Sequence, residues 1–409
     1  MNAQYRAAEA QFDAVRERIP ESVAGLLPSV TATSNTFWNE NTVNTLGQQQ
    51  YNSNGWTVML TQPVLRPQNV VAVSQAHAQV DQASAQLSLA RQDLLIRTAQ
   101  AYFDVLFARD VLNSYKEERA ADLQQMNRAE RRFEVGSAPI TDVRDTEARY
   151  AMVTAQELRA RNDVVARMQV LREIINRRPG PLAELRADAV LTRPIPDTSQ
   201  PWESAARNNN AAVTAARAAL AVARLEVRKA RAGELPTVDL VAMRGYTRSP
   251  LTIQVGQLTY ATSVGIQVSI PVFAGGGSWA KIRENVDLLE KAQDDLDDAQ
   301  RASVLAAQQA YLGATSGLAL VKALQRAVLA GKTAVESNER GIQVGDRIRV
   351  DVLNAKKDLA ATERDLARAR YETIMWLLKL KSAVGSLSDA DVEEVNALLT
   401  SHGEGAGSD

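Results

Sequence analysis

The sequence predicts an α+β fold with a two-fold internal repeat, each half a strand hairpin followed by long coiled-coil helices. Three observations predict it. First, matching segments recur at one offset: the prolines of "LLPSVTAT" and "ELPTVDLV" lie 208 residues apart, as do those of "TQPVL" and "SIPVF". The pairs Ala101-Tyr102 and Ala310-Tyr311, and the turns at Gly136 and Gly345, lie 209 apart. One insertion near "AGGGS" accounts for the change, and repeats of this kind define an architecture before any single element does. Second, "LTYATSVGIQVSIPVF" at 258–273 alternates. Tyr260, Thr262, Val264, Ile266, Val268 and Ile270 point one way, and Ala261, Ser263, Gly265, Gln267 and Ser269 the other, which is a sheet with one apolar face. Third, residues 67–133 hold no glycine and no proline after Pro67. At about 1.5 Å per residue that is roughly 100 Å of helix.

The first repeat, 1–202, opens with a helix and continues with strands at about 28–42 and 51–65. The segment between them is rich in Asn and Gln, as an exposed hairpin loop should be. A long helix at 67–133, a return helix at 141–177 and a connector at 178–201 follow. The connector's prolines forbid a helix there. The second repeat, 203–400, is preceded by a helix at 202–232. It has strands at about 236–249 and 258–273, a long helix at 278–340 and a return helix at 348–385. The long run is broken only by Gly313, Gly317 and Gly331. Leu95, Ala99, Tyr102 and Leu106 make one stripe at helical spacing, and Val352, Leu359 and Leu366 recur every seven residues. Such spacing argues for supercoiled packing against long neighbours. The end, 401–409, reads as a disordered tail.

Composition removes several function classes. Lys and Arg total 47 against 48 Asp and Glu, which disfavours a polyanion binder, nucleic acid included. There is no cysteine, so no thiol nucleophile, disulfide frame or thiolate metal site exists. The two histidines, His77 and His402, have no ligand partner at useful spacing. No Ser-His-Asp set or H-E-x-x-H motif is present, so no catalytic site, cofactor or metal is expected. "FAGGGSW" at 273–279 sits where phosphate loops sit, but without the Lys-Ser/Thr signature it reads as a strand-to-helix junction. The N-terminus reads as helix without a secretory apolar core, which fits a cytosolic chain or one whose signal is removed. No helix able to cross a membrane is expected, a reading that says nothing against a β-barrel.

Four strands cannot close a barrel, which usually takes at least eight, and an open apolar sheet in a bilayer would leave its edges unpaired. A capping sheet or a sandwich edge fits the pattern alone equally well. Two turns sharpen the matter. "RRFEVGSAPITDV" and "GIQVGDRIRVDVLNA" each hold Val-Gly with an acid six residues after the glycine: Val135-Gly136 with Asp142, and Val344-Gly345 with Asp351. Glycine suits the left-handed end of a helix, and Pro139 stops it running on. Ser137, Thr141 and Asp346 are candidate caps for the helices that follow.

These turns, with the paired strand starts, the "AYF.VL" helix and "ARYETIMWLLKLKSAVGSLSDADV", resemble the TolC-type outer-membrane efflux proteins over residues of about 10–400. The resemblance implies a membrane protein: a homotrimer with a twelve-stranded β-barrel in outer-membrane lipid, continued by a periplasmic twelve-helix α-barrel. It implies an exit duct for a tripartite efflux or type I secretion system, with a periplasmic adaptor and an inner-membrane transporter as partners. The Val135-Gly136 and Val344-Gly345 turns become the adaptor-docking tip. Asp142, Asp145, Ile342, Arg347, Asp351 and Asn354 become the periplasmic aperture. Asp351 matches one acid ring of the family; Asn354 stands where a second acid is often found, with Asp145 as its repeat mate. Arg347 matches an arginine that ties the inner hairpin, with Asp142 its natural partner. Ile342 replaces a tyrosine that often makes a second tie. The rival from another class, a soluble or peripheral coiled-coil scaffold, explains the helices but not alternating hairpins at matching offsets.

Overall fold

The computed structural model describes residues 2–43, 47–248, 258–343 and 349–400. The first elements are α1 (Ala3–Arg16), α2 (Arg18–Ala24), β1 (Ser29–Val43), β2 (Gly47–Leu65), α3 (Pro67–Glu134) and α4 (Ile140–Ile175). After a connector come α5 (Ser199–Asn209), α6 (Ala211–Ala232), β3 (Thr237–Arg248), β4 (Leu258–Ser269), α7 (Gly277–Gln343), α8 (Arg349–Ala383) and α9 (Asp389–Asn396). The chain forms two compact units, and α3 and α7 contribute residues to both.

One unit comprises residues 10–85 and 215–298. Its strands form one antiparallel sheet in the order β1-β2-β3-β4. The register puts Trp56 opposite Tyr246, and Tyr246 opposite Tyr260. Directly opposed residues share a face, so the apolar face carries Val30, Val58, Leu60, Leu240, Val264, Ile266 and Val268. The other face carries Thr31, Thr57, Thr61, Asp239, Ser263 and Gln267. Gly245 lies on this second face for a steric reason: an added Cβ would meet the Trp56 carbonyl oxygen of the neighbouring strand at 2.5 Å. At the end of the sheet near α3, Arg66 donates through Nε and Nη2 to both oxygens of Asp239, at 2.9 and 2.8 Å. Such a fork fixes direction as well as distance.

Two strand bounds differ from expectation. β2 passes through Pro63 by means of a bulge between Pro63 and Leu65, the usual accommodation for a residue with no N–H to donate. β4 stops at Ser269, not 273. Pro271 cannot continue the ladder, and Gly275 and Gly276 turn the chain at φ 60° and 83°. The other hairpin strand start expected at 51 lies earlier, at Gly47.

The second unit comprises residues 1–9, 86–214 and 299–409. Its largest apolar cluster joins Phe103 and Leu106 of α3 to Tyr371, Ile374, Met375 and Leu378 of α8, with Leu387. Another joins Ala101 and Val105 of α3 to Leu171 of α4. Further along the same helix pair, the buried Glu157 of α4 meets Arg119 of α3 at 3.0 Å and Arg161 at 2.9 Å. The connector is ordered by hydrogen bonds. Tyr102 Oη donates to the Ala183 carbonyl at 2.7 Å, and its repeat mate Tyr311 donates to Asp197 at 3.3 Å. Arg370 Nη2 donates to the carbonyls of Arg186, Ala187 and Ala189. Leu185 bridges Leu399, so the last described residues run against the connector.

The helix expected at 202–232 is two helices. Asn210 leaves the helical region at ψ 137°. Its side chain accepts from the Ala212 N–H at 2.8 Å and donates to the Ala383 carbonyl at 2.8 Å. An asparagine that caps the next helix outcompetes continuation through a short break. A further departure concerns α7. By length and composition it contains one 18-residue window apolar enough to cross a membrane, at mean hydropathy 1.2. Its small residues face α8 instead. A Cβ on Gly313 would meet Trp376 at 2.5 Å, and one on Gly317 would meet Thr373 Oγ1 at 2.5 Å. Ala307, Ala310 and Ala314 are buried on the same helix.

The glycines of α7 therefore differ in kind. Thr373 is fully buried and its hydroxyl donates to the Ala369 carbonyl at 2.6 Å, so it has no room to yield. Gly317→Val should destabilise the folded protein by about 1–3 kcal/mol. A Cβ on Gly331 would come closest to the flexible end of Leu359, at 3.1 Å, with the rest of that residue at ordinary contact distance. Gly331→Ala should be neutral or stabilising by up to about 1 kcal/mol, the helix-propensity gain. Thermal unfolding in detergent checks both; equal shifts would refute the distinction.

Candidate functional site

The candidate site lies in the second unit, at the ends of the α3–α4 and α7–α8 pairs. α3 closes with a Schellman turn. Gly136 sits at φ +72° and its N–H donates to the Phe133 carbonyl at 2.9 Å, while the Ser137 N–H donates to the Arg132 carbonyl at 2.7 Å. Nothing lies within 4 Å of a Cβ built on Gly136. Backbone conformation alone thus requires glycine there.

Ser137 does not cap α4, contrary to expectation. Its hydroxyl donates back to the Arg132 carbonyl at 3.0 Å, and Pro139 stands at the N-cap without a side-chain bond. Thr141 lies inside α4, so it is not a cap either. Proline's fixed φ suits the entry to the helix, and its carbonyl accepts from the Asp142 N–H at 3.2 Å. Around this turn Phe133, Val135 and Ile140 are exposed, Val135 at 77%. The tip of the first hairpin is an apolar surface on a fixed backbone.

Beside the turn a cavity of about 460 Å³ brings all four helices together. Asp142, Asp145 and Ile342 line it, with Val350 and Leu353 of α8. So do Asp122, Gln125, Arg128, Arg132 and Arg149, which the sequence reading did not select. Three acids and three arginines share one mouth-sized space. The signal for the α3 members was available: residues 122, 125, 129 and 132 recur at helical spacing on one face. Burial pushes the Asp122 carboxyl above the usual carboxylate range, and the nearby Arg149 and Lys357 pull against it.

The remaining expected residues divide. Asp351 is half-buried in the first turn of α8, and Asn354 is exposed; neither lines the cavity. Asp142 occupies the first turn of α4, where a carboxylate is favoured by the unpaired N–H groups. Val344, Gly345, Asp346 and Arg347 lie outside the described residues. Away from the turn, Lys356 of α8 pairs with Glu339 of α7 at 2.7 Å, and Lys332 with Glu363 at 3.5 Å. Among the described residues, no group of His, Cys, Asp and Glu is arranged to hold a metal ion.

Comparison with known proteins identifies the family. A family model described as "Outer membrane efflux protein" matches residues 1–177 and 202–386. The chain is 30% identical over 395 residues to outer membrane protein TolC of Vibrio cholerae, covering 95% of this chain and 89% of that protein. It is 29% identical over 408 residues to alkaline protease secretion protein AprF of Pseudomonas aeruginosa, covering 97% and 85%. In fold it is similar to the Campylobacter jejuni CmeC outer membrane channel, at a TM-score of 0.83 over 97% of this chain and 86% of that one, with 14% identity.

Asp122 yields a pH prediction. A carboxyl with a raised folded pKa contributes stability that is present below its unfolded value, near 3.9, and lost as pH rises through the folded value. Asp122→Asn abolishes that loss. The variant should therefore unfold at a higher temperature than the parent at neutral pH, and the gap should close towards pH 4. A gap that is flat with pH, measured by thermal scans, would remove Asp122's burial as its cause.

Proposed function

The chain belongs to the outer membrane efflux protein family, and from that premise we propose how its single sheet and its two hairpin ends make a gated exit duct. It is a bacterial outer-membrane protein that extends into the periplasm, and its role is that of an efflux or secretion duct. The observation that carries the proposal is the sheet of four strands with one apolar face. Strands β1 and β4 are its edges, and lipid offers no partner for their N–H and C=O groups. Its strands of 12 to 19 residues exceed the 9–11 that a tilted strand needs to cross. Copies must therefore close it. Two or three copies would reach the usual minimum, and the family resemblance favours three, a twelve-stranded barrel. The polar face then lines the lumen, and α3, α4, α7 and α8 of each copy continue the wall as a twelve-helix tube. A scaffold reading leaves the apolar sheet face without a role.

In this reading the hairpin ends are the periplasmic tip. Val135 and Gly136, with Val344 and Gly345, dock a periplasmic adaptor, which couples the duct to an inner-membrane transporter. A threefold assembly turns each aperture residue into a ring. Asp351 supplies an acid ring, which attracts cations; Asn354 supplies a neutral one. Arg347 and Asp142 make one polar tie, and Ile342 withholds a second. Asp145 and Asp142 line the space beside it. The similarity to AprF, whose name places it in protease secretion, favours a secreted protein as cargo.

Three outcomes test the proposal. Detergent-extracted protein should migrate as a trimer that separates only on heating; a detergent-free soluble monomer would end it. In planar bilayers, Asp142→Ala and Arg347→Ser should each raise conductance, and no change in either would count against the tie. Asn354→Asp should strengthen block by added divalent cations, and block equal to the parent's would refute the ring.

A further inference from the structure

The apolar face of the sheet has an exception that the duct does not explain. Arg244 lies on it, between Val58 and Thr262 of the neighbouring strands. Arg248 lies on the same face four residues further along β3, opposite Asn54. Between them runs the aromatic row: Trp56 and Tyr246 meet edge to face at 6.1 Å, and Tyr246 and Tyr260 lie 5.9 Å apart. Both arginines are exposed, and neither makes an ion pair among the described residues.

Position decides what these charges are for. On the helix side of Arg244 the face is mainly apolar: Leu60, Ala242 and Val264 in one row, then Gln62, Leu240 and Ile266, then Val268 with Val238. On the hairpin side polar residues enter the face, with Thr36, Asn54 and Arg248 in one row beside Leu258, and Trp38 opposite Asn52 further out. The Trp56–Tyr246–Tyr260 row lies where these polar residues begin. Tyr246 Oη donates to Asn54 Oδ1 at 3.2 Å, so its polar end is turned towards the hairpin side. Aromatic rings so turned sit at headgroup level. An arginine on a lipid-facing strand is costly at mid-bilayer and tolerated at this level, where its stem lies along apolar surface and its head reaches water. At about 3.3 Å per residue, Arg244 and Arg248 are roughly 13 Å apart along the strand, within reach of one headgroup layer from either side. Glu40, the one acid of the described strands on this face, lies further out on β1 and accepts from Gln50 at 3.4 Å.

We propose that Arg244 and Arg248, with the Trp56–Tyr246–Tyr260 row between them, form a binding site for the phosphate headgroup of a membrane lipid at the outer rim of the sheet. Each guanidinium presents a planar fork matched to phosphate oxygens. The rings supply the apolar bed for the upper acyl chains. The site rests on the reading that this face meets lipid. It recurs in every copy, and it would fix the depth at which the barrel sits.

The test uses full-length protein in phosphatidylcholine nanodiscs with or without bisphosphorylated lipid A. Native mass spectrometry should show lipid A retained in preference to phosphatidylcholine. Arg244→Gln with Arg248→Gln should weaken retention about tenfold or more, as expected for two cations at a lipid surface. Retention at the parental level would overturn the proposal. If the glutamine pair fails to assemble, the parent with lipid A and with its dephosphorylated form decides the matter, and equal retention overturns it. A separate arm tests the premise: fluorophores on Val264→Cys and Ser263→Cys, with quencher-labelled lipid. Quenching at 264 but not 263 supports the lipid-facing assignment, while quenching at neither overturns the site through that premise and not through the arginines.

Discussion

A backbone amide in hydrocarbon has no water to fall back on. That constraint governs this chain more than any side-chain contact. A four-stranded sheet has two edges, and an apolar face makes hydrocarbon its preferred surroundings. The edges then become obligations that one chain cannot meet by itself. From there the rest follows in sequence. In the proposed duct several copies join, their sheets enclose a lumen, and the polar face supplies its lining. Arg66 alone separates β2 from α3, and residues 270–276 separate β4 from α7.

The helices face the opposite problem. Water satisfies their surroundings, but nothing compact shelters helices of 67 and 68 residues. They bury themselves against one another instead, through small residues. The glycines of α7 let the Trp376 and Thr373 side chains of α8 lie almost on its backbone. Glu157 of α4 sits between Arg119 and Arg161 and satisfies its buried charge against both. Close approach through small residues joins one pair, and an apolar cluster with a buried ion pair joins the other.

How much of this was legible beforehand follows from range. The alternation of β4, the proline-free length of α3 and the Val-Gly turn at Gly136 are local signals, and the structure has all three. Asn210 was a local signal too, in the run Asn208–Asn210, but the alanine-rich surroundings outweighed it. Gly313 and Gly317 were visible as interruptions while their reason, the α8 side chains opposite, was not. The cavity beside the turn was half legible. Asp142, Asp145 and Ile342 came from turn position and resemblance, and they line the cavity. Asp122, Arg128 and Arg149 belong to it through folding of the hairpins, which no motif records. Ser137 was read as a cap by residue type, and the backbone used it to close the preceding helix instead.

The turn at Gly136 carries one more consequence. Its shape comes from two backbone hydrogen bonds and a proline, with empty space where a side chain would be. It has no core of its own to rearrange. A partner meeting Phe133, Val135 and Ile140 there finds them already positioned on a stiff bend, so little conformational entropy remains to be lost on association. If the proposed docking takes place there, the turn's backbone contributes little to its entropic cost.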